Sequence, residues 1–263
     1  MHDRKHKAQT IVAQYATTSQ SNKPEYYRYH KIRFAAILAM VLSLPGKRVL
    51  EIGVNPGQFT EMLVNAGYEV YGTDIFPEHR AEVWERLGVE VRRWNIDTEV
   101  PPYQPGMFDI IIFSEVIEHL ANPPLAALEQ FATLLVPGGH LVISTPNQFY
   151  FKSRMRTLFD VLLWLPFDHT DEFERWATLR SDARYYTHSR LFGMKQLAWM
   201  ATASKYDVVS EEYHAAYEPV GIEWARFVRA PHRWLVKFAI VCVTVLLWKT
   251  RSMILIALKK STI

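Results

Sequence analysis

Apolar and polar positions alternate along this chain in a pattern that changes period many times. Tyr26 to Leu44 reads as a helix closed by Leu44-Pro45-Gly46, a stop signal. Lys47 to Gly53 follows as a short apolar run ending in glycine, which predicts a buried strand. A short helix, Phe59 to Ala66, is punctuated by Gly67, and Tyr68 to Asp74 alternates as a second strand ending in a carboxylate. Glu78 to Leu87 then reads as helix and Val89 to Trp94 as a third strand, ending at Asn95-Ile96-Asp97. Phe108 to Phe113 is too apolar for a half-exposed strand and belongs in the centre of a sheet, covered on both faces. A helix over Pro124 to Leu135 ends at Pro137-Gly138-Gly139, and His140 to Ser144 is a fifth strand. Ser189 to Ser204 is a helix, Tyr206 to Tyr213 a sixth strand and Met253 to Leu258 a seventh.

Strand and helix alternating in this way predict an α/β fold with an open, doubly wound sheet. Its parts are an N-terminal polar segment with a cover helix (1–45), an α/β core (46–147), an inserted lid (148–188) and a C-terminal part of the core (189–263). The last contains a hydrophobic, basic insertion (214–250) before the final strand. In such sheets ligands sit at the carboxyl ends of the strands, beside the first strand. Attention therefore falls on 53–57, Asp74-Ile75, 95–97, 114–119 and 145–147.

Composition narrows the function. The 263 residues are 49% hydrophobic and 22% charged, ordinary for a globular chain. A net charge of +3 is too small to make the whole chain a nucleic-acid binder. One cysteine, Cys242, excludes a disulfide framework and fits a reducing compartment. Residues 1–24 are polar and basic, with no apolar stretch for a signal peptide, so a cytoplasmic protein is expected. The charge is uneven, however. No acidic residue follows Glu223, and that stretch carries +8, leaving 22 basic against 27 acidic residues in the remainder, a net of −5.

The turn Glu51-Ile52-Gly53-Val54-Asn55-Pro56-Gly57 joins strand to helix. Gly53 and Gly57 lack the Cβ atoms that would keep a ligand off the backbone, and Asn55 tolerates a left-handed conformation better than most residues. Asp74 lies 21 residues beyond Gly53, at a strand tip, where a carboxylate can accept from two ribose hydroxyls. The G-x-x-x-G spacing is not a dinucleotide fingerprint, and no P-loop lysine is present. The residues suit a nucleoside cofactor without a diphosphate.

Val49-Leu50-Glu51-Ile52-Gly53…Gly57, Gly72-Thr73-Asp74, Phe108-Asp109-Ile110-Ile111 and Pro137 to Asn147 together resemble the ordered motifs of class I S-adenosylmethionine-dependent methyltransferases. The resemblance covers residues 30–213 and is strongest to the branch containing the ubiquinone-biosynthesis O-methyltransferases. It implies a Rossmann-like seven-stranded sheet, with the sixth and seventh strands forming a hairpin. It also implies S-adenosylmethionine as cofactor, with Glu51 of the turn motif among the residues that bind it. Gly53, Asn55 and Gly57 would line the methionine moiety, Asp74 would hold the ribose, and Ile75 would lie against the adenine. Ile96 and Asp97 would flank the adenine, Asp97 accepting from its amino group, while Ser114 and Glu115 would border the sulfonium. Asn55 departs from the family's usual middle glycine.

Methyl transfer needs an oriented acceptor and, for a hydroxyl, a proton acceptor. Ser114-Glu115-Val116-Ile117-Glu118-His119 is the sharpest candidate. On a helix, Glu115, Glu118 and His119 would share one face, so that they could bind a divalent cation such as Mg²⁺. The same E-x-x-E-H is a metal site in small-RNA 2′-O-methyltransferases and some quinone O-methyltransferases, where a further ligand lies downstream; His169 and His188 are the candidates here. Alternatively His119, with Glu118 beside it, acts as a metal-free base, or Glu118-His119 merely opens the next helix.

The lid is aromatic (Phe149, Tyr150, Phe151, Trp164, Phe167, Trp176, Tyr185, Tyr186), which suits an apolar or ring-bearing acceptor, or simply packs the lid. Arg154, Arg156, Arg175, Arg180 and Arg184 would meet an acceptor phosphate or form a solvated face. The 11 uncharged residues from Phe238 to Trp248 would span only about 16 Å as a helix, too short to cross a bilayer. Flanked by Arg233, Lys237, Lys249 and Arg251, residues 231–250 can instead lie at an anionic membrane surface, at its inner face, or pack as a core or dimer helix. The expected function is methyl transfer from S-adenosylmethionine to a small or lipid-linked acceptor, most simply a hydroxyl. The rivals are an N- or C-methyltransferase and a non-catalytic, cofactor-binding membrane subunit. The loop spacing disfavours a nicotinamide oxidoreductase, and an acidic catalytic part disfavours nucleic acid as substrate.

Overall fold

A computed structural model describes residues 2–18, 23–165, 177–178, 187–219 and 231–262. A seven-stranded sheet runs through it in the order β3-β2-β1-β4-β5-β7-β6. The strands are β1 (Arg48–Ile52), β2 (Glu69–Asp74), β3 (Glu90–Arg93), β4 (Phe108–Ser114), β5 (Leu135–Pro146), β6 (Tyr206–His214) and β7 (Met253–Lys260). Strands β1 to β5 are parallel, and β7 is antiparallel to both β5 and β6. The order reverses at β1, so the carboxyl ends of β1, β2 and β4 open onto one crevice. The expected doubly wound sheet with a terminal hairpin is present.

Burial follows the two-residue period of the strands. Val49, Ile110, Ile112, Val142 and Leu255 face one side, under α1 (His2–Thr18), α2 (Pro24–Val41) and α3 (Gln58–Asn65). Leu50, Ile111, Phe113, Leu141 and Ile254 face the other, under α5 (Pro124–Leu134) and α7 (Met194–Ala203). The apolar run in β4 is buried on both faces, as its composition demands. A short α4 (Ala81–Leu87) seats Val83 and Trp84 against Val54. Beyond β5 come α6 (Phe151–Leu162) and, between β6 and β7, α8 (Pro231–Leu246).

The structure differs from expectation in three places, the first being that the helix expected from Ser189 begins only at Met194, after Phe192 bridges to Asn147. Residues 2–18 form a helix whose one side, Ala8, Ile11, Val12 and Tyr15, is buried against α2 and α3; four apolar contacts in a polar segment suffice to anchor it. Pro137-Gly138-Gly139 does not separate helix from strand, because β5 already begins at Leu135. Leu135 pairs with Phe108, and the register then shifts before His140 pairs with Ile110.

The candidate active site

A cavity of about 730 Å³ opens at the carboxyl ends of β1, β2 and β4. That volume lies within the usual range for a small-molecule site. One end is built from Gly53, Asn55, Thr73, Asp74, Ile75, Phe76, Ile96 and Asp97. The other is built from Tyr29, His30 and Arg33 of α2 together with Glu115, Glu118, His119, His188 and Tyr217.

At the first end, the Asp74 carboxylate accepts from the backbone N–H groups of Asn55 (3.2 Å) and Phe76 (3.0 Å). A carboxylate has about four acceptor positions, so two amides orient it and leave capacity for a ligand's hydroxyls. Gly53, at φ 77°, forms the floor, and a Cβ there would stand 2.7 Å from Val116 Cγ2. Ile75 and Ile96 supply apolar surface. Asp97 lines the cavity, and its carboxylate also accepts from the backbone N–H groups of Ala121 and Asn122, both at 3.0 Å.

Several sequence expectations need correction. Asn55 does not take the left-handed conformation. The positive φ angles fall on Gly53 (77°) and Gly57 (93°), and a residue before proline is driven towards extended backbone. Gly57 lies outside the cavity lining; a Cβ there would meet Val83 and Trp84 at 2.9 and 3.0 Å, so this glycine admits α4 rather than a ligand. Glu51 is also behind the wall. Fully buried, it accepts from the Thr60 hydroxyl at 2.7 Å, and burial, with a smaller contribution from Asp74, raises its pKa to about 8. Ser114 is not among the residues that line the cavity and shares a hydrogen bond with Ser144 Oγ (2.9 Å).

Glu115, Glu118 and His119 do not share one helix face. Only Ile117–His119 form a 3-10 turn, while Glu115 precedes it at φ +54°. Its N–H donates to the Ser144 carbonyl at 2.9 Å, which pins a conformation costly for a residue with a side chain. Glu115 then turns towards α2, where its carboxylate lies 3.1 Å from the Arg33 guanidinium and accepts from the hydroxyls of Ser144 (2.9 Å) and Tyr217 (3.0 Å). Arg33 also donates to the hydroxyls of Tyr26 (3.1 Å) and Tyr217 (3.3 Å). Burial opposes the charge on Arg33, but Glu115, Tyr26 and Tyr217 outweigh it and hold the pKa above the ordinary value.

Because Glu115 is committed to Arg33, the groups that can converge on a cation are Glu118, His119 and His188. One ligand atom from each lies within 4.8 Å of the others. His169 lies outside the described residues, as do Phe167, Trp176, Tyr185, Tyr186, Arg175, Arg180 and Arg184. Glu118 is only 1% exposed and accepts from Thr145 Oγ1 at 2.9 Å; burial and the Glu115 charge push its pKa well above the carboxylate range. Burial, then His188, lowers the pKa of His119. Its Nδ1 lies 3.1 Å from the Thr187 carbonyl, and a carbonyl only accepts, so Nδ1 carries the proton and Nε2 keeps the lone pair. Burial, then Arg33, lowers His30 to about 3, so that ring is neutral as well.

Arg33 and Tyr217 were not singled out in the sequence. Arg33 carried a signal: it lies on the stripe Tyr26, His30, Arg33, Ile37, Val41, the buried side of α2. Tyr217 carried none, because a loop residue after β6 is brought here only by the fold. Glu218 fixes it, accepting from the Ser252 N–H (2.7 Å) and hydroxyl just before β7.

The arrangement fits S-adenosylmethionine. Asp74 suits a ribose, and Gly53, at φ 77°, presents bare backbone to the cavity. At the far end the buried atoms Arg33 Nε and His30 Nδ1 find no partner among the described residues, as expected where a polar ligand group belongs. With His30 and His119 held neutral by burial and Arg33 paired with Glu115, no uncompensated cation among these groups faces a positively charged ligand.

Residues 2–211 match the sequence family described as a methyltransferase domain. The ubiquinone biosynthesis O-methyltransferase of Xanthomonas campestris pv. campestris is 34% identical over 118 residues, 42% of this chain and 48% of that protein. That of Cereibacter sphaeroides is 33% identical over 114 residues, 42% and 46% respectively. The chain thus spans about half the length of the curated relatives it matches. Among solved structures, a methyltransferase from Archaeoglobus fulgidus superposes with a TM-score of 0.57 at 17% identity, covering 88% of this chain and 94% of that one. Phosphoethanolamine N-methyltransferase 2 of Haemonchus contortus, in complex with S-adenosylmethionine, gives 0.56 at 18% identity, covering 86% and 52%. At these identities the likeness concerns the fold.

Proposed function

Given that the chain belongs to the methyltransferase-domain family, with the class I sheet order, we propose that it transfers a methyl group from S-adenosylmethionine to a hydroxyl of a small-molecule acceptor. The observation that carries this reading is His119. It lines the cavity, is kept neutral by burial, and holds its proton on Nδ1 against the Thr187 carbonyl. Nε2 is therefore a lone pair on the wall of the site, the group a hydroxyl acceptor requires as general base.

The cofactor, when bound, supplies a methyl carbon activated by a positively charged sulfur. Asp74 would accept from the ribose hydroxyls, and Gly53 and Asn55 would line the amino-acid portion. Ile75, Ile96 and Asp97 would hold the adenine. Arg33, buried on α2, would take the carboxylate end, and Glu115, held beside it, would lie towards the sulfur. His119 Nε2 receives the acceptor's proton, while Glu118, its pKa pushed up by burial, accepts from Thr145 and anchors the turn. The ubiquinone-biosynthesis relatives, matched over about half their length, are named O-methyltransferases, which supports oxygen as the acceptor atom.

The test is transfer of a radiolabelled methyl group to a catechol, a phenol and a primary amine. Label on the oxygen acceptors is expected; label on the amine alone moves the reading to nitrogen. Failure of S-adenosylhomocysteine to bind in calorimetry overturns it altogether.

A second reading has a divalent cation held by Glu118, His119 and His188, favoured by the convergence of their ligand atoms. Such an ion would lower the pKa of an acceptor hydroxyl. Turnover unchanged after dialysis against EDTA removes this reading and leaves His119 as the base.

A further inference from the structure

Two helices beside the cavity turn apolar side chains towards solvent. On α8, Leu235, Phe238, Ala239, Cys242 and Leu246 recur at helical spacing and all are exposed, Leu246 by 79%. In a helix that serves the core, this stripe would face inward. On α6, Leu158, Phe159 and Leu162 are exposed, and Trp164, just past its end, is 93% exposed. The two helices meet, so their stripes form one edge of the molecule. Lys152, Arg154 and Arg156 are exposed on α6, and exposed Lys249 lies 5.3 Å over the ring of Trp248 beyond α8.

We propose that the α6–α8 edge docks on an anionic lipid bilayer, its apolar side chains in the acyl boundary and its cations among the headgroups. Charge argues for this occupant. No acidic residue follows Glu223, and on α6 the exposed Lys152, Arg154 and Arg156 outnumber the one acid, Asp160, which lies 3.9 Å from Arg156; Trp164 and Trp248 lie just past the ends of the two helices. A second copy of the chain is the poorer partner, since a two-fold contact would press these cations against their own equivalents. None of the described helices is long and apolar enough to cross a membrane, so α8 would lie along the surface.

The docked edge adjoins the cavity mouth. Asn147, one residue past the cavity-lining Pro146, donates through Nδ2 to the carbonyls of Lys249 (3.1 Å) and Arg251 (2.8 Å). Arg251 in turn donates to the Thr244 carbonyl of α8 (3.2 Å). An acceptor dissolved in the bilayer would therefore reach the site from the lipid side. The docking itself does not rest on the methyl-transfer reading.

The experiment is flotation of the full chain with vesicles of phosphatidylcholine containing about 30% phosphatidylglycerol, and with pure phosphatidylcholine. Binding to the anionic vesicles is expected, roughly tenfold or more weaker on neutral ones or in about 0.5 M salt. Cys242, the only cysteine, takes an environment-sensitive dye that should shift to the blue on the same vesicles. Trp164→Glu with Leu246→Glu should weaken binding roughly tenfold or more with an unchanged thermal melt, because both side chains stand in solvent. No flotation with anionic vesicles overturns the proposal. So does unchanged binding by the double variant, or a dimer in light scattering that buries the Cys242 dye without lipid.

Discussion

Replacing Arg33 by methionine keeps much of its volume and deletes the charge that Glu115 faces. Both side chains are buried, 7% and 13% exposed, and separated by 3.1 Å. At an effective dielectric of about 20, two unit charges at that distance attract by about 5 kcal/mol. Removing one partner of a buried pair costs about 3–5 kcal/mol, because the other charge is left uncompensated. Here the loss includes the bonds to Tyr26 and Tyr217. In a protein of this size each kcal/mol moves the melting temperature by about 2–4 °C, so a fall of about 6–20 °C is expected in a thermal scan. The double variant Arg33→Met, Glu115→Gln removes both charges and should recover more than half of that loss. Calorimetry with S-adenosylhomocysteine should show no matching recovery of affinity, since the guanidinium is still missing. A single variant melting within about 2 °C of the parent refutes the reasoning, and so does a double variant no more stable than the single.

Asp74→Ala should weaken S-adenosylmethionine by on the order of 100-fold or more, since charge-assisted bonds to a carboxylate contribute about 1.5–3 kcal/mol each; near-normal affinity in calorimetry removes the cofactor assignment. His119→Ala should lower kcat by about 10²–10⁴ with cofactor binding kept. In the parent the acid limb of the rate profile should fall below the ordinary imidazole value of 6.5, because burial disfavours the charged ring. An unaffected rate in the variant rejects the role. Glu51 keeps a proton when folded up to about pH 8, whereas an unfolded chain releases it near 4.5. Stability should therefore fall as pH rises between those values, by up to about 1.4 kcal/mol per unit from this group. Urea midpoints at several pH values should show that slope flattened in Glu51→Gln, and equal slopes would reject the buried-acid account.

The sheet was legible because its strands are short, apolar and bounded by glycine or proline, and because a carboxylate or glycine follows β1 and β2 at the expected place. The ends that face the ligand from those strands, Gly53 and Asp74, could be read for the same reason: their chemistry is local to a strand tip. Gly57 and Glu51 belong to the same motif, yet they serve packing behind the turn, a distinction that depends on where α4 lands. The N-terminal helix was hidden because its buried edge is only four side chains wide in a polar run. The E-x-x-E-H segment misled most, since helical spacing holds only if the backbone is helical, and Glu115 takes a left-handed φ instead. His188 was among the downstream ligand candidates and does lie beside Glu118 and His119, whereas Arg33 and Tyr217, far apart in the chain, are brought to the site only by the fold.

Strand β7 lies between β5 and β6, although it is the last of the seven to be made. A ribosome that has released β6 has produced a strand with no neighbour, and the loop carrying Tyr217 lacks its Glu218–Ser252 anchor until Ser252 and the residues after it emerge. Folding during synthesis can therefore finish the nucleoside end of the cavity early, from β1, β2 and β4, but must wait for residue 260 to close the reacting end. A nascent chain stalled before β7 would display the unpaired edge of β5 and a half-built pocket, a ready substrate for chaperones and proteases. Completion of the sheet thus falls to the last strand, which pairs with both β5 and β6.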